Sequence, residues 1–343
     1  MKSMKMTLDD DNRRRIGSKS HNRYLAEGIE PHRPTQVAPS SLLRPFDDVL
    51  ERRIECRYSE VQKILHGRLG QPFFSCTGFI LYQGSCMQFL EALRGSDINV
   101  ELSVTSPPYN IGKEYEEPLP VEQYIAWCGA WMKQIYEVTS AHGAFWLNLG
   151  YLEVRGKGRC VPIPYLLWDK SPFYMIQEVV WSYGAGVAAR HRLSPRNEKW
   201  LFYVKTADSY SFNLDDIRDS NVKYPNQMKR GKLRCNSLGK NPSDVWEFPK
   251  VTTGKDRSSR ERTGHPAQFP LGVVERVVKA SSNPTEVVLD PFAGSCSVGI
   301  AAVGLGRVFV GFEIREDYCR VAVERFKRFV EERRNASKQA KLF

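Results

Sequence analysis

The chain has 343 residues, 41% of them hydrophobic, a formal charge of +11 and a sequence pI of about 9.2. That length allows one large domain with an inserted one, and that apolar share excludes a disordered chain. The cation excess points to a polyanionic partner, nucleic acid ahead of an anionic membrane surface, and no apolar run reaches bilayer-spanning length.

Residues 1–45 are polar and basic, with Arg13-Arg14-Arg15, and read as a mobile arm whose charges can touch phosphate. No apolar stretch follows those cations, so no secretory signal is evident. The 8 cysteines are scattered without a C-x-x-C pair, and the 6 histidines show no H-E-x-x-H spacing. These patterns predict reduced thiols in a cytosolic compartment, with no disulfide framework and no metal.

Residues 46–207 and 264–335 are expected to form one catalytic and cofactor domain, with 208–263 inserted between them. Phe46, Val49, Leu50 and Ile54 predict a helix over 46–65. Phe79-Ile80-Leu81-Tyr82 reads as a strand ending at Gly84-Ser85, with a helix over 87–93 after it.

Val100 to Val104 is a strand buried on at least one face, and Thr105-Ser106-Pro107-Pro108-Tyr109 follows it. Neither proline can donate a backbone hydrogen bond, and each pushes the residue before it into extended backbone. The Ser106 hydroxyl and the Pro107 carbonyl are therefore held at the carboxyl end of a strand, where open α/β sheets bind ligands. With the Tyr109 ring beside them, these acceptors suit a planar group that carries an amine.

A polar loop with Glu114, Glu116 and Glu117 precedes an amphipathic helix over 121–139, and strands are expected over 145–149, 177–183 and 198–205. Residues 208–263 are rich in Lys, Arg, Asn and Ser and show little periodicity. Lys229-Arg230-Gly231-Lys232-Leu233-Arg234 is one basic cluster, and Lys255, Arg257 and Arg260 belong to a second. Tyr210, Phe212, Tyr224 and Trp246 are interleaved with them. The segment reads as an insertion that grips a polyanion and leaves side chains free to read bases.

Regularity returns with a helix over 269–278 and a strand over 287–289. The turn Asp290-Pro291-Phe292-Ala293-Gly294-Ser295-Cys296, a helix over 297–303, a strand over 308–313 and a helix over 317–332 complete the chain. Strand, small-residue turn, helix, strand and acidic residue form the order that holds an adenosyl cofactor in a doubly wound fold. Gly294 allows close backbone approach, and Glu313, about twenty residues on, suits the ribose hydroxyls. The Asp290-Pro291 opening differs from the G-x-G-x-x-G that cradles a pyrophosphate. S-adenosylmethionine, which has no phosphate, fits better than NAD.

Taken together, these motifs resemble the β-type amino-group DNA methyltransferases over roughly residues 79–329. Ser106, Pro107, Pro108 and Tyr109 match that family's catalytic motif in the serine form usual for N4-cytosine enzymes, whereas N6-adenine enzymes mostly carry Asp or Asn at the place of Ser106. The run Gly264-His265-Pro266-Ala267-Gln268-Phe269-Pro270 matches the segment that helps bind S-adenosylmethionine. Asp290, Phe292, Ala293, Gly294 and Ser295 match the D-P-F-x-G-S turn, and Glu313 the ribose carboxylate. Thr105, Ser85, Cys86, His265, Gln268 and Phe269 join these as implied cofactor residues.

Two departures stand out. Cys296 stands where the family usually has Gly, and Gln83-Gly84-Ser85-Cys86 stands where it often has N-G-D-C. The resemblance implies an α/β, doubly wound mixed sheet of the S-adenosylmethionine-dependent methyltransferase type. It implies methylation of the N4 amine of cytosine in duplex DNA by base flipping, as the modification partner of a restriction endonuclease, by a monomer or dimer. N6-adenine methylation and a catalytically silent DNA-binding protein on the same fold are the alternatives.

Overall fold

The computed structural model describes residues 41–340 except 185, 187, 252–258 and 260. Most of the expected N-terminal arm, and Lys255, Arg257 and Arg260, lie outside the described residues. In chain order the elements are α1 (Asp48–Leu69), β1 (Phe74–Cys76), β2 (Phe79–Gln83), α2 (Cys86–Leu93), β3 (Val100–Thr105), α3 (Val121–Val138) and β4 (Thr139–Leu149). A hairpin of β5 (Tyr151–Val154) and β6 (Gly158–Pro162) leads to α4 (Ile163–Leu167), β7 (Tyr174–Ser182) and β8 (Asn197–Val204). The insertion contributes β9 (Met228–Lys229), β10 (Lys232–Leu233) and β11 (Val245–Glu247). Then follow α5 (Leu271–Ser281), β12 (Val287–Asp290), α6 (Ser297–Gly304), β13 (Val308–Glu313) and α7 (Glu316–Ala340).

A 9-stranded sheet runs in the order β1-β2-β13-β12-β3-β4-β8-β7-β11. Its centre, β2 to β4, is parallel, while β8 runs antiparallel to both its neighbours and β1 antiparallel to β2. Parallel strands need cover on both faces, and the side-chain alternation supplies it. Phe79 and Leu81 of β2 pack on the face covered by α5, α6 and α7, whereas Ile80 and Tyr82 join α1 to α4 on the other. β3, expected to be buried on at least one face, is covered on both.

The strand order contains a reversal. From β12 the chain moves outward through β13, and from β3 it moves the opposite way through β4. The gap between the carboxyl ends of β3 and β12 is therefore the topological switch point, where α/β folds bind ligands.

Several elements differ from expectation. Val49 is 60% exposed, and the buried stripe of α1 is Ile54, Val61 and Leu65 instead. The β5–β6 hairpin, α4 and β1 are additional. The largest difference lies in the polar insertion, which returns to the large sheet. β11 pairs in parallel with β7, and Trp246 is buried with its ring 5.7 Å from that of Trp146. Tyr210 and Phe212 pack at 5.8 and 6.0 Å from Phe202. Of the four interleaved aromatics Tyr224 is the most exposed, at 62%, and Phe212 keeps one side in solvent. Composition conceals this, because a three-residue strand has too few positions to show a period. Among the described residues no helix is long and apolar enough to cross a membrane.

Trp246→Ala is expected to destabilise the fold by about 3–5 kcal/mol, the usual cost of emptying a large core site. Urea unfolding measures it, and a loss below about 1 kcal/mol would show that β11 is only loosely attached.

Candidate active site

The ladder between β3 and β12 aligns Val288 with Leu102 and Leu289 with Ser103, which brings the strand ends together. Thr105 and Asp290, 185 positions apart, meet there: Thr105 Oγ1 donates to Asp290 Oδ1 at 2.6 Å. The Ser-Pro-Pro-Tyr corner and the glycine turn thus leave neighbouring strands at one hydrogen-bonded point.

On the β12 side the turn is built from backbone donors. Phe292 N–H donates to Asp290 Oδ1 at 3.1 Å and Ala293 N–H to the Phe312 carbonyl at 2.8 Å. Gly294 N–H reaches Glu313 Oε2 at 2.8 Å, and Arg315 N–H donates to Oε1 at 2.9 Å. The Glu313 carbonyl accepts from Gly84 N–H at 2.8 Å, so the corner bearing Ser85 is tied to the same edge.

Gly294 has φ +50°, and a Cβ there would stand 3.0 Å from His265 Nε2. Cys296 holds the left-handed conformation without being glycine, at φ 54° and ψ 40°. The backbone shape for which glycine is suited is therefore kept, at a cost of about 1 kcal/mol.

Two carboxylates are buried here: Asp290 is 3% exposed and Glu313 8%. Burial pushes Asp290 up to about 7 and Glu313 above the usual carboxylate range. Among the described residues neither forms an ion pair. A buried carboxylate without a cation is costly, so the crevice is prepared for a positively charged ligand. S-adenosylmethionine carries positive charge at its sulfonium and its amino group, and the residues fit it. His265 Nδ1 accepts from Ala267 N–H at 3.2 Å, and burial, with Arg325 nearby, pushes its pKa down to about 4. The imidazole packs between Tyr318, 4.3 Å away, and Tyr115, 6.1 Å away.

On the β3 side a chain of donors sets the orientation of one hydroxyl. Ser106 Oγ donates to Tyr109 Oη at 3.0 Å, and Tyr109 Oη donates to Asn148 Oδ1 at 2.6 Å. Asn148 Nδ2 donates to the Lys199 carbonyl at 3.3 Å, which fixes which end of the amide faces the tyrosine. Ser106 spends its proton on Tyr109, so its lone pairs face outward. Among the described residues no group donates to the Pro107 carbonyl, whereas Pro108's accepts from Tyr124 Oη at 2.9 Å. The Tyr109 ring lies on Gly150, where a Cβ would come 2.8 Å from a ring carbon. Burial and the Glu198 carboxylate push the Tyr109 hydroxyl pKa well up.

The other expected cofactor residues are more varied. Ser85 stands at the start of α2, and Cys86 is buried beside Glu313, its thiol pushed up to about 12 by burial. Phe292 packs edge-on to Trp127 and Trp131. Gln268 uses its amide internally, donating to the Glu261 carbonyl at 2.6 Å and accepting from Thr263. Phe269 packs on Trp200 at 4.9 Å. Ser295 accepts from Arg325, buried under the turn, at 3.0 Å through its carbonyl.

Of the basic cluster, Lys229 and Lys232 face each other across the β9–β10 hairpin, which turns at Arg230 (φ 52°) and Gly231 (φ 77°) with Arg234 just beyond. All four cations are exposed. Sequence reading missed Asn148, Glu198, Lys250, Tyr115, Tyr318 and Arg325. Asn148 carried a usable signal, a polar residue inside the apolar run Phe145 to Leu149.

A family model described as DNA methylase matches residues 100–324. The chain is 56% identical over 276 residues to the type II methyltransferase M.ScaI of Streptomyces caespitosus, covering 80% of this chain and 89% of that one. Among solved structures, the cytosine-N4-specific PvuII DNA methyltransferase shares the fold with a TM-score of 0.59 at 16% identity, covering 77% of this chain and 94% of that one. The M1.HpyAVI–SAM complex does so with a TM-score of 0.50 at 20% identity, covering 72% and 98%.

The buried Asp290 gives the site a pH signature. Its folded pKa is raised, so its contribution to stability is full below the unfolded value of about 3.9 and is lost as pH rises through about 7. Asp290→Asn should therefore gain stability relative to the parent between about pH 5 and about pH 8, by about 1–3 kcal/mol. Urea unfolding at both pH values checks this, and an unchanging difference would show that Asp290 carries no such burial cost.

Proposed function

Because the chain belongs to the DNA methylase family of N6 and N4 methyltransferases, S-adenosylmethionine-dependent enzymes, we propose that it methylates the N4 amine of cytosine at a specific site in duplex DNA. The observation that carries this reading is the Thr105–Asp290 hydrogen bond at the switch point, which joins the acceptor corner and the cationic-ligand crevice. Asp290, Gly294, His265 and Glu313 would hold the cofactor. When bound, S-adenosylmethionine supplies a methyl carbon whose bond to sulfur breaks, with the pair staying on sulfur, as the amine nitrogen attacks.

The protein's part is to hold the amine. The lone pair of an exocyclic amine is delocalised into its ring, so nitrogen attacks well only when it pyramidalises. Ser106 Oγ and the Pro107 carbonyl accept the amine hydrogens and draw the nitrogen out of the ring plane, while Tyr109 stacks on the base. Positioning of this kind removes much of a bimolecular barrier. The base must leave the helix to reach the crevice. Residues 208–263 form the target-recognition insertion, with Lys229, Arg230, Lys232 and Arg234 on DNA phosphates. The serine at position 106 favours cytosine over adenine, and likeness to a type II methyltransferase suggests a restriction endonuclease acting at the same site.

Ser106→Ala is expected to lower kcat by about 10²-fold, the scale for loss of one transition-state hydrogen bond. S-adenosylmethionine affinity, followed by calorimetry, should not change. Unchanged turnover in a tritiated-methyl assay would remove Ser106 from the mechanism. Digestion of the methylated DNA to nucleosides separates N4-methylcytosine from N6-methyladenine, and the latter would overturn the cytosine assignment.

A further inference from the structure

Methylation leaves the amine nitrogen with one proton too many. The hydrogen-bonded chain Ser106–Tyr109–Asn148 orients the acceptor but ends on a neutral amide that cannot take up a proton. A second branch leaves the same tyrosine: Tyr109 Oη lies 3.4 Å from Glu198 Oε2. Glu198, at the start of β8, is brought there because that strand runs against its neighbours. Its other oxygen, Oε1, accepts from Lys250 Nζ at 3.0 Å, and the ammonium lies 3.7 Å from the centre of the Tyr183 ring. The two side chains are only 17% and 35% exposed. Lys250 belongs to the 208–263 insertion, so this pair joins the insertion to the floor of the pocket.

We propose that Glu198, acting through Tyr109 and Ser106, is the terminal acceptor of the proton released from the target amine, and that Lys250 holds its carboxylate in place for that task. The proposal rests on the amine-methylation reading above. The nitrogen–hydrogen pair returns to nitrogen and the proton passes to Ser106 Oγ. The serine's own proton passes to Tyr109 Oη, and the tyrosine's proton, turned from Asn148 Oδ1, passes to Glu198 Oε2. Nitrogen ends neutral and methylated, both hydroxyls are restored, and the carboxylate becomes a carboxylic acid that releases its proton to solvent. Among the described residues, the titratable groups facing Glu198 are Tyr109, Tyr115, Tyr183 and Lys250. Of these only Lys250 is a cation, and Lys199 turns instead to Asn197 and Glu178.

Glu198→Gln keeps the shape and the contact with Tyr109 but cannot take the proton. Its S-adenosylmethionine and DNA affinities, by calorimetry, should stay within about twofold of the parent, while kcat falls by about 10²-fold. Glu198→Asp should recover part of the rate. Lys250→Met removes the group that positions the carboxylate and should lower kcat while leaving S-adenosylmethionine affinity unchanged.

A Glu198→Gln enzyme within about twofold of the parent kcat overturns the proposal, as does an unchanged kcat in Lys250→Met, which decides the matter if Glu198→Gln does not fold. If the parent transfers no methyl to DNA, the function itself fails and the proposal with it. A parent that methylates DNA beside a fully active Glu198→Gln removes the proton acceptor alone.

Discussion

The hydrogen bond between Thr105 and Asp290 is the constraint on which this molecule depends. Each residue closes a strand, and the two strands are neighbours only because the chain reverses its direction of travel between them. The two contiguous motifs of the site start from these residues: the diproline corner after Thr105 and the glycine turn after Asp290. A long polar insertion separates them in sequence without disturbing that adjacency, because the parallel ladder sets the register. The insertion instead closes onto the sheet at β11 and, through Lys250, onto the pocket.

The crevice divides into two electrostatic halves. Around Gly294 two buried carboxylates lack a cation among the described residues, so that half gains most from a cationic guest. At Ser106 itself the neighbours are the Tyr109 hydroxyl and the Asn148 amide, and the Glu198–Lys250 pair lies one step further back, behind the tyrosine. The first half attracts charge, while the second presents lone pairs. An electrophilic carbon held in one and an amine held in the other would meet across the line between β3 and β12.

Much of the framework was legible in the residues. β2, β12 and β13 are near-continuous apolar runs because both their faces are covered, and their ends are marked by glycine or acid, as that of β3 is by proline. The catalytic corner and the glycine turn could be read because each is contiguous in sequence. What could not be read depends on pairing between distant segments. Asn148 and Glu198 come from β4 and β8, and nothing in either strand says that the other lies beside it in antiparallel register. Trp246 looked like a base-reading aromatic amid lysines and asparagines, yet it fills the core, because burial is decided by the edge of β7 and not by its own neighbours. Val49 fits a helical stripe on paper, but the stripe that packs lies further along α1.

The rims of the sheet have a consequence of their own. Both outermost strands, β1 and β11, are only 3 residues long, whereas β7, immediately inside β11, has 9. Short margins leave few unpaired amides for a second chain to zip onto. The 208–263 segment therefore guards the carboxyl end of β7, from Val180 to Ser182, against self-association. If it detaches, that end joins the rest of β7 as open edge, and a change that loosens the segment would surface first as precipitation.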